Sequence, residues 1–219
     1  SIAHFSGIYT YGNLMHNYQD LVAYVDSNPV KIPFLREERM TIRNAKKIRA
    51  AIDYQHPDVR NFAVKSAKNH FSDAHLKREH GRVLLYFSIF KTIRNSWIYI
   101  PDPKGEEYYA KASETIDHLS GDCDDYSIIM AACIRAVGGD VRLVHTKGHL
   151  YPEVKIGKLT ELEDIIYLIK RKLFLKESLG GKIYYHIDRN DNVWINFDYT
   201  NWYPGGKFMD EKIIGIMVV

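Results

Sequence analysis

Cys123 lies within Gly121-Asp-Cys-Asp-Asp-Tyr126, where a helical pattern begins. A thiol attacks as its thiolate, and the first turn of a helix favours that form, because unsatisfied N–H groups and the helix dipole face it. Asp122, Asp124 and Asp125 oppose this, since neighbouring negative charge raises a thiol pKa, so an adjacent imidazolium is wanted. Of the 10 histidines, His149 has a reason to be that partner. It follows a glycine and enters a strand, Leu150-Tyr-Pro-Glu-Val154, whose pairing would fix the backbone and leave the ring free to face the helix start. His145 falls mid-strand and reads as a packed or surface residue. Asp198 lies in a run where Trp194, Asn196 and Asp198 share one face and Val193, Ile195, Phe197 and Tyr199 the other. A carboxylate among aromatics is costly to bury alone. A hydrogen bond to a histidine N–H would meet that cost and hold the tautomer that accepts a thiol proton. Cys123 as nucleophile, His149 as base and Asp198 as orienting group would together perform acyl transfer.

The elements that must position these residues can be read from periodicity. Apolar or small residues at Thr41, Ala45, Ile48 and Ile52 predict an amphipathic helix over residues 36–54, with Arg39, Arg43, Lys46, Lys47 and Arg49 around it. Pro57-Asp58 opens a second helix reaching Phe71, and Val83, Phe87, Phe90 and Ile93 mark a third over residues 81–95. Residues 97–100 turn extended, and Pro101-Asp-Pro-Lys-Gly105 reads as a loop. The helix beginning at Cys123 buries Tyr126, Ile129, Met130, Cys133, Ile134 and Val137, and Gly138-Gly139 ends it. Strands follow at 141–146, 151–156 and 193–199. Between the last two, Thr160 and Glu163 suggest a capping box opening an inserted helix to residue 174, either a lid over the cleft or an extension of the core. Helices first and strands after make the fold class α+β. Charged residues crowd positions 72–82, which places a boundary between a helical N-terminal region, 1–80, and a catalytic domain, 81–219.

Composition excludes several classes. With 219 residues, 46% hydrophobic and 26% charged, the chain can bury a core of its own and has no apolar run of membrane-spanning length. A net charge of +3 is too small to demand a polyanion, and the basic face at residues 39–49 also carries Glu37 and Glu38 nearby, so no nucleic-acid partner is expected. Ten residues of helix separate Cys123 from Cys133, too far for a disulfide. Two free thiols favour the cytoplasm. A cell-envelope or secreted location applies if a segment upstream of Ser1 was removed. Cys133, on the apolar face, reads as a core residue. No Cys-x-x-Cys or His-Glu-x-x-His pairing occurs, so neither a metal site nor a cofactor is expected.

Three segments carry a family resemblance: Gly121-Asp-Cys-Asp-Asp-Tyr-Ser127, Gly148-His-Leu-Tyr-Pro-Glu-Val154 and Trp194-Ile-Asn-Phe-Asp-Tyr-Thr200. Together they resemble the three-part signature of the transglutaminase-like superfamily, which has a papain-like fold, over roughly residues 97–206. Tyr199-Thr-Asn-Trp-Tyr-Pro-Gly-Gly206 is similar to the corresponding segment of its bacterial and archaeal members. The resemblance implies a nucleophile-bearing helix packed on an antiparallel sheet, with Cys123, His149 and Asp198 as a catalytic triad. It implies action on amide bonds of a peptide or protein, by hydrolysis more than by cross-linking. The alternatives are a protein-glutamine gamma-glutamyltransferase or an inactive scaffold that keeps the fold. Upstream oxyanion donors in the family point here to Trp97, Tyr108 or Tyr109, beside the Cys123 N–H.

Overall fold

The computed structural model describes residues 30–31, 44–103 and 108–219. The start of the first expected helix, with Thr41, Arg39 and Arg43, lies outside them, as do Lys104 and Gly105. The helices and strands are β1 (Val30–Lys31), α1 (Ala45–Ala51), α2 (Pro57–Asn69), α3 (Ala74–Ser96), β2 (Ile98–Tyr99), α4 (Ala112–Thr115), β3 (Ser120–Gly121), α5 (Cys123–Ala136), β4 (Val141–Thr146) and β5 (His149–Lys158). They continue with α6 (Leu162–Tyr167), β6 (Tyr184–Ile187), β7 (Asn192–Asn196) and β8 (Ile213–Val218). One six-stranded sheet runs β1-β6-β7-β5-β4-β8, antiparallel except where β1 joins β6, and β2 and β3 form a separate parallel pair. The α+β expectation holds, with the cysteine-bearing helix packed on an antiparallel sheet.

α5 is buried almost all round, every residue from Asp125 to Ile134 being inaccessible or nearly so. The one-sided stripe expected from sequence understates this: Ile128 to Ile134 is an unbroken apolar run, and a helix apolar all round belongs inside a core. α5 lies between β4 and β5 on one side and α2, α3 and α4 on the other. Ile48, Val59, Ala63, Phe87 and Phe90 share its core. Asp73 caps α3 by accepting from His75 N–H and Leu76 N–H, both at 2.9 Å. Residue 80, where the sequence suggests a boundary, is a kink inside α3, with His80 at φ −124°.

The inserted segment departs from a simple helix. It begins with a 3-10 turn (Leu159–Glu161), continues as α6 and ends in a π-helical turn, Leu168–Leu173. Its N-terminal cap comes two residues earlier than the Thr160–Glu163 pattern suggests: the Glu161 carboxylate accepts from Lys158 N–H at 2.7 Å. Leu162, Ile165, Leu168, Ile169 and Leu173 are buried in the main core. Phe174 meets Phe87 and Phe90 edge-on, with centroids 6.1 and 6.0 Å away. The insert therefore extends the core.

Candidate active site

The turn into α5 is built around one close approach. Gly121 has φ +151°, and a Cβ there would run into the Asp125 carboxylate, whose Oδ1 accepts from Ala110 N–H at 2.9 Å. Only glycine combines that backbone with that clearance. Asp122 then caps the helix, its Oδ1 accepting from Asp124 N–H at 2.8 Å and Asp125 N–H at 3.4 Å. Cys123 is thereby fixed as the first residue of α5.

β5 brings the histidine to the same place. The Ser127 hydroxyl, fully buried, lies 2.7 Å from Cys123 O and 3.0 Å from Leu150 O, tying the helix start to the residue after His149. The Leu150 N–H faces the Cys123 sulfur. His149 is the first residue of β5, after Gly148 at φ +79°. Its Nε2 lies 2.8 Å from Asp198 Oδ2, and both side chains are buried. An ionised Asp198 can only accept, so His149 carries its proton on Nε2 and presents the Nδ1 lone pair on the other side of the ring. β7 ends at Asn196, but Phe197 N–H still bonds Pro152 O at 2.8 Å, so the pairing with β5 carries Asp198 up to His149.

The structure thus joins His149 to Asp198 and sets Cys123 beside the strand that carries the histidine. The Cys123 thiol donates to Asp124 Oδ1, 3.7 Å away. Burial, then the Asp124 and Asp122 charges, push the Cys123 thiol up to about 12, partly offset by the Leu150 N–H. The opposition of the carboxylates expected from sequence is present, and desolvation exceeds it. Burial also raises the thiol of Cys133, which is wholly enclosed.

Aromatic rings frame the pair. Tyr199 stacks on Tyr99 with centroids 5.4 Å apart and meets His149 edge-on at 5.8 Å, while Tyr151 stacks on the imidazole at 6.0 Å. Burial, with Cys123 and Asp198 nearby, raises the Tyr199 hydroxyl pKa. Of the three upstream donors considered from sequence, Tyr108 OH bonds Glu114 at 3.1 Å and Tyr109 OH accepts from Asn44 Nδ2 at 3.0 Å. The indole N–H of Trp97 is buried with no partner among the described residues, and its ring packs edge-on against Tyr126. Sequence reasoning missed Thr200, whose hydroxyl donates to Asp198 Oδ2 at 2.7 Å. An Asp-x-Thr step at a strand exit is the turn signal that points to it.

A capped helix presenting a thiol to an antiparallel sheet, with a buried histidine–carboxylate pair on that sheet, defines the class of cysteine-based enzymes. The family model described as the transglutaminase-like superfamily matches residues 85–199, just over half the chain. The chain belongs to the transglutaminase-like superfamily. Among solved structures it is similar to one described as "a Putative Cysteine Protease from Cytophaga hutchinsonii", at 17% identity and a TM-score of 0.42. The match covers 83% of this chain and 52% of that one, so the chain spans about half the length of that neighbour. A search of curated proteins finds no match. No helix among the described residues is long and apolar enough to cross a membrane.

Proposed function

We propose that this protein is a cysteine-nucleophile acyl-transfer enzyme that hydrolyses amide bonds in peptide or protein substrates. The observation that carries the reading is the buried 2.8 Å contact between His149 Nε2 and Asp198 Oδ2 on the strand lying against Cys123. In this reading the resting thiol is neutral, held so by burial and by Asp124. As substrate is attacked, the proton leaves the sulfur for His149 Nδ1, and Asp198 stabilises the imidazolium. The sulfur bonds to the carbonyl carbon. The oxyanion takes a hydrogen bond from the Cys123 N–H at the start of α5. Collapse expels the amine, which takes the proton from His149. Water, deprotonated by the same imidazole, then releases the acid from the thioester.

Hydrolysis is separated from cross-linking by offering a quenched-fluorescence peptide library with and without a fluorescent primary amine. Release of free carboxyl products that depends on Cys123 supports the hydrolase. Cys123-dependent incorporation of the amine into peptides as the main product would instead make it a cross-linking enzyme. Neither product, with a thiol unresponsive to His149, would leave a scaffold.

A further inference from the structure

We infer that Thr200 is a positioning residue for the reaction, setting Asp198 so that the carboxylate holds His149; this rests on the reading of Cys123, His149 and Asp198 given above. Asp198 Oδ2 receives two hydrogen bonds, from His149 Nε2 at 2.8 Å and from Thr200 Oγ1 at 2.7 Å. Oδ1 is faced by Thr200 N–H at 3.4 Å. Two donors from one residue therefore address both oxygens of the carboxylate, which fixes its rotation about the Cβ–Cγ bond, a torsion that is otherwise broad.

The direction of the Thr200 hydroxyl is itself determined. Asn201 Nδ2 donates to Thr200 Oγ1 at 3.2 Å and to Lys207 O at 3.1 Å. An amide NH2 only donates and a carboxylate only accepts, so the single hydroxyl proton points at Asp198. The chain of donors runs Asn201 to Thr200 to Asp198, and His149 meets it from the other side. Arg94 holds the far end: its Nε donates to Asn201 O at 3.1 Å and its guanidinium lies over the Trp202 ring, 3.6 Å from the centroid. The charged and titratable groups around Asp198 are then His149, the half-buried Arg94, and the phenols of Tyr126, Tyr151 and Tyr199.

The consequence is specific. The Thr200 proton draws charge from Oδ2, which tempers the attraction of Asp198 for an imidazolium and keeps His149 available as a neutral base. Without the hydroxyl, the imidazolium gains a stronger partner and the carboxylate loses its fixed rotation.

The test is the rate of Cys123 alkylation by iodoacetamide, resolved from Cys133 by mass spectrometry, across pH in the parent, His149→Ala, Thr200→Val and Thr200→Ser. The parent is expected to show an acid limb that is absent in His149→Ala, reporting protonation of the base. In Thr200→Val the plateau should fall about tenfold or more, because the freed carboxylate no longer aligns His149 with the sulfur, and that misplacement outweighs the stronger pull on the imidazolium. The limb should also move to higher pH, and Thr200→Ser should restore both. If Thr200→Val does not fold, Thr200→Ala deletes the same hydroxyl and carries the same expectation. A lowered plateau with an unmoved limb, or a serine that fails to rescue, makes Thr200 merely structural and overturns the inference while leaving the site intact. A parent profile identical to that of His149→Ala removes the reading of the site, and this inference with it.

Discussion

Asp124→Asn is expected to make Cys123 more reactive, contrary to the usual effect of mutating a conspicuous acid beside a nucleophile. The thiol is raised from an ordinary value near 9 to about 12, a thousandfold loss of acidity, with burial the largest cause and Asp124 the second. Asp124 acts both by its charge and by accepting the thiol proton at 3.7 Å. A like charge beside a titrating group moves it by about one unit or more, so removing this carboxylate should increase the thiolate fraction about tenfold. A less basic thiolate is also a weaker nucleophile by about threefold, leaving a net gain of about threefold. The assay is the initial rate of reaction with a neutral aromatic disulfide at pH 8 in the His149→Ala background, where no imidazole contributes and the rate follows the thiolate fraction. α5 loses an acid from its first turn, so a small drop in melting temperature, from about 0.3–1 kcal/mol, is expected alongside. An unchanged or slower reaction would refute the claim that Asp124 suppresses the thiolate.

Three further outcomes follow from the same geometry. Asp198→Asn should reduce amide hydrolysis by about 10³–10⁴-fold with little change in KM, because the partner of His149 Nε2 loses its charge and can favour the wrong tautomer; kinetics on the best library peptide measure this. Gly121→Ala should destabilise the fold by about 2–5 kcal/mol in urea titration, through the positive φ and the collision with Asp125. Glu153 is wholly buried with Arg142, whose Nε lies 2.8 Å from its Oε2, and with His186 on Oε1. Burial alone would raise this carboxyl, but His186 and Arg142 overcome it and hold the pKa below the ordinary glutamate value. A depressed acid stabilises the fold above its unfolded pKa, near 4.3, and that stability is lost as pH falls through the lower folded value. Glu153→Gln should therefore cost about 3–5 kcal/mol at pH 7 and flatten the acid side of the stability profile, measured by thermal unfolding from pH 7 to pH 3.

The sequence makes the site legible where short-range rules apply. Glycine before an acidic cap announces the start of α5, and a glycine turn announces His149 at the head of β5. Period-two alternation puts Asp198 on the face away from Val193, Ile195 and Phe197, which are in the main core. Long-range pairing is less legible. β6 is marked at its end by the turn residues Asp188-Arg-Asn-Asp191, where Asp188 Oδ1 accepts from Asn190 N–H at 2.8 Å, but its pairing partners are not marked, and β8 finds its place through Arg142–Thr146 of β4. The inserted segment has a helical stripe, yet only its packing against Phe87 and Phe90 decides that it fills the core. The raised Cys123 thiol is half legible: the three aspartates are in the sequence, whereas the larger contribution, desolvation, exists only once α5 is enclosed.

The central claim is that His149 activates Cys123, and it is tested most directly by timing iodoacetamide labelling of the two cysteines at pH 7 in the parent and in His149→Ala. Unaided, a thiol near 12 is about 10⁻⁵ ionised at this pH. The account predicts that Cys123 nevertheless labels at least as fast as a free thiol, that buried Cys133 stays protected, and that His149→Ala slows Cys123 by about a hundredfold or more. Equal labelling of Cys123 in the two proteins would contradict it.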